Sequence, residues 1–225
     1  MRTSRRLGVA SVVCALVLAL GMQVGTAATS SPVPVGNAGF EVPKLAPDSF
    51  ATFPVGSTLG TCGLSMGVGP GYQFGCWRVF AGNVNVTGNG YWQAAKGHQT
   101  IELNGTTAGS ILQVFAVNPN DVYHVSFKLA GDPFVAGQVK LLVVQEQFDS
   151  AGNYLTGSPL GTYTFDTSSN STSDMQFVKE SATFGLEPNA AYADIEFQSI
   201  TNNGTYPWWG PVIDQVSLRT TPAPQ

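Results

Sequence analysis

From Thr100 the chain alternates, with Ile101 and Leu103 on one side and Thr100, Glu102 and Asn104 on the other. That is the period of a strand with one face in a core. Two aromatics, Tyr91 and Trp92, and a small turn at Lys96-Gly97 precede it, and a second turn at Asn104-Gly105 follows. The next strand-like run is 110–116. Residues 122–129 alternate cleanly, placing Tyr123, Val125, Phe127 and Leu129 on one face and His124, Ser126 and Lys128 on the other. Residues 138–148 are nearly continuously apolar at their centre, as in a strand buried on both sides or lying in mid-sheet. Segments 77–86, 161–165, 177–184 and 190–200 continue the pattern. Residues 212–218 close it, with Val212, Asp214, Val216 and Leu218 expected on one face and Ile213, Gln215 and Ser217 on the other. No stretch has a helical period. About ten short strands separated by turn signals predict an all-β fold, an antiparallel β-sandwich of the jelly-roll kind.

The first residues have a different pattern. Arg2, Arg5 and Arg6 precede an apolar run from Leu7 to Leu20, and Gly25-Thr26-Ala27 supplies small residues for cleavage. This reads as an export signal over 1–28, carrying Cys14 with it; the run is shorter than the roughly 20 residues of a membrane span. Residues 29–35 read as an extended linker, 36–219 as the sandwich and 220–225 as a disordered tail. The expected location is extracellular, as a secreted protein. Setting the three arginines aside takes Lys+Arg from 10 to 7 against 14 Asp+Glu, and 7 − 14 = −7. An acidic chain with no basic cluster along its sequence argues against nucleic acid and against anionic membranes as partners.

Phe40 is the expected core anchor of the first folded segment. Cys62 and Cys76 are the only cysteines beyond the signal. In an exported chain such a pair is most simply a disulfide, and no CxxC spacing or further ligand set points to redox or metal chemistry. It would staple the loop carrying Met66, Tyr72 and Phe74 against Trp77.

Seven motifs then occur in order. They are Asn37-Ala-Gly-Phe-Glu41, Gly75-Cys-Trp77, Tyr91-Trp-Gln-Ala-Ala95, Gln99-Thr-Ile-Glu-Leu-Asn-Gly105, Gly109-Ser-Ile-Leu-Gln113, Phe127-Lys-Leu-Ala-Gly-Asp-Pro133 and Gly210-Pro-Val-Ile-Asp-Gln-Val-Ser-Leu218. The series resembles the bacterial choice-of-anchor C proteins and the related domain of unknown function of plant cell-wall proteins. The resemblance implies a galactose-binding-like jelly roll outside the cell, with a polysaccharide as partner. Many bacterial members carry a C-terminal sorting anchor; this chain ends in TTPAPQ, so a released protein is expected. The resemblance also puts Glu41 and Asp214 together on the opening and closing strands. There they would either share a structural calcium or accept hydrogen bonds from backbone amides at strand ends. No other cofactor is called for.

Catalytic candidates are few. His98 sits in a turn and His124 on a polar strand face, and Gly-x-Ser-x-Gly and His-Glu-x-x-His are absent. Asp194 and Glu196 share one strand face with Tyr192 and Gln198, an arrangement open to a glycosidase acid–base pair and equally to a solvated sheet face. Binding is the better reading. A sugar ring stacks on an exposed aromatic while its hydroxyls meet polar side chains. Trp77 reads as core and Trp92 as either a packed corner or a platform. Trp208 and Trp209, in the loop Tyr206-Pro-Trp-Trp209, cannot easily both be buried. The predicted site is therefore Trp208 or Trp209 with Trp92 and Tyr206, and the amides of Gln93, Asn202 and Asn203 as hydroxyl partners. This predicts a non-catalytic carbohydrate-binding protein. The alternatives are a matrix or adhesion protein working through protein contacts, or a glycoside hydrolase.

Overall fold

The clean alternation of residues 122–129 becomes part of an eleven-residue strand whose Tyr123, Val125, Phe127 and Leu129 are buried. The same sorting recurs along the chain. The computed structural model describes residues 29–63, 73–202 and 204–224. The export segment 1–28 and the residues Met66, Tyr72, Asn203 and Gln225 lie outside the described residues. In chain order the strands are β1 (Ser31–Val33), β2 (Phe50–Pro54), β3 (Thr58–Leu59), β4 (Trp77–Ala81), β5 (Asn83–Gly88), β6 (Gln99–Glu102) and β7 (Ser110–Ala116). They continue with β8 (Asp121–Gly131), β9 (Gln138–Phe148), β10 (Tyr154–Asp166), β11 (Val178–Phe184), β12 (Tyr192–Ser199) and β13 (Pro211–Pro222).

The strands form two antiparallel sheets. The larger has the order β11-β8-β13-β6-β5-β2 with β1 added to β13, and the smaller the order β10-β9-β12-β7-β4-β3. Among the described residues there is no helix. Most successive strands cross between sheets, while β1–β2, β3–β4, β5–β6 and β9–β10 each stay within one, giving an all-β jelly-roll sandwich. Its core is built from facing rows, Val125, Phe127 and Leu129 of one sheet against Val143, Ile195 and Phe197 of the other. Phe197 is at its centre, with ring centroids 5.0 Å from Phe127 and 5.7 Å from Trp77. Phe40 is fully buried and packs 5.8 Å from Trp77, as its apolar position predicts. Strand β9 lies in mid-sheet between β10 and β12, which accounts for its apolar centre.

Three boundaries differ from the sequence reading. Part of the 29–35 linker is strand: Ser31, Pro32 and Val33 pair with Thr220, Arg219 and Leu218. Proline is tolerated there because β1 is an edge strand. The 220–225 tail is likewise ordered as far as its pairing extends, with Thr220, Thr221 and Pro222 opposite Tyr123, Val122 and Asp121. The third difference is a β-bulge between Asp214 and Ser217, where Gln215 takes a φ of 51°. An extra residue shifts the phase of a strand. Ile213 therefore shares the core side with Val216 and Leu218, while Val212 and Asp214 pair with Ala130 and Lys128 on the outward side.

Cys62 and Cys76 are bonded, with Cα atoms 4.8 Å apart. The staple does not press Phe74 onto Trp77; the Phe74 ring meets Tyr192 at 6.0 Å instead. With a separation of 14 residues, the chain-entropy model gives the cross-link about 3 kcal/mol. A Cys62→Ser, Cys76→Ser double variant should therefore melt roughly 6–12 °C below wild type in a domain of this size, as read by calorimetry. An unchanged melting temperature would deny the cross-link a stabilising role.

Candidate functional site

The connection between β5 and β6, residues 89–98, does not arch into solvent but lies across the outward face of the larger sheet. Two buried or half-buried carboxylates hold it down. Asp214 Oδ2 accepts the Lys96 amide at 2.9 Å, and Glu41 Oε1 accepts the amides of His98 at 2.7 Å and Gln99 at 3.3 Å. The Gln99 side chain donates to the carbonyls of Phe40 and Pro43 and accepts from the Leu45 amide. Gly97 has a φ of 74°, and a Cβ there would come within 2.1 Å of Glu41 Oε1. Only glycine lets the turn close onto that carboxylate. Further along, the Gln93 amide donates to Thr172 O, and its Oε1 accepts from Met175 N.

Between this connection and β2 lies a cleft of about 390 Å³. Its walls are aromatic. Phe50 and Phe134 are 50% and 54% exposed, Trp208 is 36% exposed, and Tyr91 and Trp92 stand between them. Tyr91 contacts Phe50 at 5.3 Å, Trp92 at 5.5 Å and Phe134 at 5.9 Å. The floor is polar and comes from the outward positions of β2, β5 and β6, where Thr52, Asn85 and Glu102 pair across three strands. Thr52 Oγ1 donates to Asn85 Oδ1 at 2.7 Å, and Asn85 Nδ2 donates to Glu102 Oε2 at 3.0 Å. Trp92 Nε1 donates to Thr100 Oγ1 at 2.9 Å, fixing its ring as a wall.

Two floor atoms, Thr87 Oγ1 and Glu102 Oε1, are buried without an N–H or O–H partner among the described residues. The carboxyl group within hydrogen-bonding reach of Glu102 is that of Asp132, and the Gly210 amide also approaches it. Burial raises Glu102 well above the usual carboxylate range, and the charge of Asp132 raises it further. Asp132 is itself pushed up to about 6 by burial, opposed by the hydrogen bond its Oδ1 accepts from Phe134 N at 2.8 Å. Burial thus favours the protonated form of both carboxyls.

The residues singled out from the sequence divide. Trp208 faces the cleft and Tyr206 packs against it with ring centroids 5.5 Å apart, whereas Trp92, expected as packed corner or platform, is a packed corner: it is 2% exposed and contributes to the wall from the interior. Trp209 is a correction. It is 5% exposed, its Nε1 donates to the Asp132 carbonyl at 3.1 Å, and it supports the cleft from below without facing a ligand. Gln93 does not face the cleft either, because its side chain is engaged by Met175. Asn202 is exposed outside the cleft lining, and Asn203 lies outside the described residues. Glu41 and Asp214 do converge, on either side of Gly39, and both act as amide acceptors. A calcium ion there would need further oxygens; among the described residues no group of three or more His, Cys, Asp or Glu side chains converges. Asp194 belongs to the smaller sheet, where it is buried and its Oδ1 accepts the Glu146 amide at 3.0 Å. Phe50, Tyr91, Phe134, Glu102 and Asp132 were not singled out as site residues. Asp132-Pro133-Phe134, a turn ending in an aromatic, was the signal available.

The strand pairing defines the class of molecule, an antiparallel sandwich with its candidate site on the outward face of one sheet. The chain belongs to the family described as protein of unknown function (DUF642), whose model matches residues 67–219. No curated protein matches the sequence. Among solved structures it is similar to the CBM22-1 xylan-binding domain of Paenibacillus barcinonensis Xyn10C, with 16% identity and a TM-score of 0.46, covering 76% of this chain and 99% of that one. The CBM22-1–CBM22-2 tandem domain of the same Xyn10C gives 16% and 0.47 over 66% of this chain, which spans 43% of the tandem. TmCBM61, solved with β-1,4-galactotriose, gives 15% and 0.38, covering 81% and 94%. These likenesses assign no ligand to this chain.

The buried acids set the response to pH. Burial raises Asp214 from 3.8 to about 7, opposed by the amides of Lys96 and Gln215. The native state thus keeps a proton up to about pH 7 that the unfolded chain loses near pH 4. Stability from this proton is complete below about pH 4 and is lost as the pH rises through 7; Asp132 adds the same trend up to about 6. The melting temperature should therefore be higher at pH 5 than at pH 8, and Asp214→Asn should flatten that slope. A melting temperature rising from pH 5 to pH 8 would contradict this account of both acids.

Proposed function

We propose that this protein is a non-catalytic carbohydrate-binding protein that takes a segment of a neutral extracellular polysaccharide into the aromatic cleft. The observation that carries the reading is the pairing of exposed ring walls with a polar floor of Thr52, Thr87, Asn85 and Glu102. Sugar hydroxyls entering between the rings would meet the exposed polar groups of that floor and its rim. Stacking of the sugar's apolar face on Phe50, Phe134 or Trp208 supplies the remainder. The cleft offers oxygen acceptors from Thr52, Thr87, Glu102 and Asp132, and no ammonium or guanidinium is among its lining residues to hold an anionic sugar.

A hydrolytic role for the floor acids is disfavoured by their spacing. Glycosidase carboxyls stand roughly 5–10 Å apart with the scissile bond between them, whereas Glu102 and Asp132 are within hydrogen-bonding reach of each other. The other acidic pair, Asp194 and Glu196, is on the smaller sheet and away from the aromatic cleft. The export signal read from the sequence agrees with a polymer met outside the cell.

Trp208→Ala and Phe134→Ala should each weaken retardation by a neutral polysaccharide in affinity electrophoresis about thirtyfold, the equivalent of ~2 kcal/mol at an anchoring aromatic. Trp209→Ala should instead cost ~3–5 kcal/mol of folding stability, as a buried aromatic does. Folded Trp208→Ala and Phe134→Ala proteins that migrate like wild type in every gel that retards it would remove the cleft from consideration. Failure of wild type to bind any of a broad neutral panel would favour a protein-binding role.

A further inference from the structure

We propose that the outward face of β11, β8 and β13 is a second binding surface, for an acidic polysaccharide bearing carboxylates, separate from the aromatic cleft. The strand register builds it in rows. Lys179 stands directly opposite Lys128, the like-charge arrangement that weakens a sheet pair. Neither lysine has an ion-pair partner among the described residues. The next row is hydroxylic, with Ser181 opposite Ser126 and Ser126 opposite Ser217; the Oγ atoms of Ser126 and Ser217 lie 2.8 Å apart. The third row is Thr183, His124 and Arg219, where His124 engages Thr183 and Thr221 and leaves Arg219 exposed. Four residues of strand separate the first and third rows, about 13 Å. Two cationic ends thus flank a strip of hydroxyls.

The surrounding relief continues this strip. Lys128, Lys179, Ser126, Gln215 and Ser217 line a depression of about 290 Å³. Gln215 and Ser217 also line an adjoining one of about 540 Å³, together with Lys96 and His98. Gln215 sits at the bulge with a φ of 51°, a conformation that side-chain-bearing residues seldom adopt. Of the seven Lys and Arg beyond residue 28 (10 − 3), Lys96, Lys128, Lys179 and Arg219 gather here. In the first row the buried Asp214 of β13 stands opposite Lys128, and the second and third rows hold no acid. The nearby acids Glu41, Asp174 and Asp214 all accept backbone amides. No Phe, Tyr or Trp ring stands in the rows to stack a nucleic-acid base, and the His124 ring is held between Thr183 and Thr221. A polymer is indicated by the separation of the two cationic ends, and a carboxylated sugar by the hydroxyls between them. This surface does not depend on the cleft reading.

Affinity electrophoresis of the full chain in gels containing polygalacturonate tests it, with salt and two charge-matched double variants. Wild type should be retarded, 0.5 M sodium chloride should abolish the effect, and Lys128→Ser with Lys179→Ser should weaken it by about tenfold. Lys44→Ser with Lys140→Ser, equal in charge change but elsewhere, should leave it intact, as should Trp208→Ala. Equal loss in both double variants would reduce the effect to net charge and overturn the proposal. So would absence of retardation, or binding of wild type to phosphatidylglycerol vesicles and not to polygalacturonate.

Discussion

Carboxylates used as receptors for backbone amides hold the functional face of this protein in shape. Residues 89–98 connect two adjacent strands, and nothing in their own sequence would make them lie flat. Glu41 and Asp214, from the two ends of the chain, take the amides of Lys96, His98 and Gln99 and press the connection onto the sheet. Once pinned, the segment does several things in succession. Tyr91 and Trp92 form a wall of the cleft, residues 93–95 line a shallow depression beside Asp174, and residues 96–98 border the lysine-bearing side. One connection thereby divides the outward face into an aromatic half and a basic half.

The arrangement has a cost that is visible in the titration of its acids. Removing a carboxylate from water favours its protonated form, and Asp214, Asp132 and Glu102 are all raised with burial as the leading cause. At Asp214 the amides offset part of that penalty. At Glu102 hydrogen bonds from Asn85 and the Gly210 amide offset part of it, while the neighbouring Asp132 adds to it.

The sheets were legible in the sequence because each strand's alternation is local: Tyr123 to Leu129 sorts its faces without reference to any other segment. Phe40, Trp77 and the cysteine pair were legible for the same reason. The phase shift at Gln215 was not, because the bulge is imposed by pairing with Ala38 and β8, and alternation alone carries the wrong face through residues 216–218. At the cleft, Trp92 and Trp208 could be proposed from their loops, but Phe50, Phe134, Glu102 and Asp132 come from four separate segments that only the register unites. Trp208 and Trp209 are chemically identical in sequence; Trp209 is assigned to the interior by its contacts with Gly137 and the Asp132 carbonyl. The basic rows were hidden likewise, since Lys96, Lys128, Lys179 and Arg219 are far apart along the chain.

The four tryptophans offer the most direct test of the cleft, because each indole N–H gives its own resonance. In nitrogen-15 spectra of the labelled protein titrated with a panel of neutral oligosaccharides, the indole signal of Trp208 should shift most and that of the buried Trp92 should follow it with the same midpoint. Those of Trp77 and Trp209, packed in the interior, should remain in place. Shifts confined to residues outside the cleft, with Trp92 and Trp208 unmoved at saturation, would contradict the assignment of the aromatic cleft as the sugar-binding site.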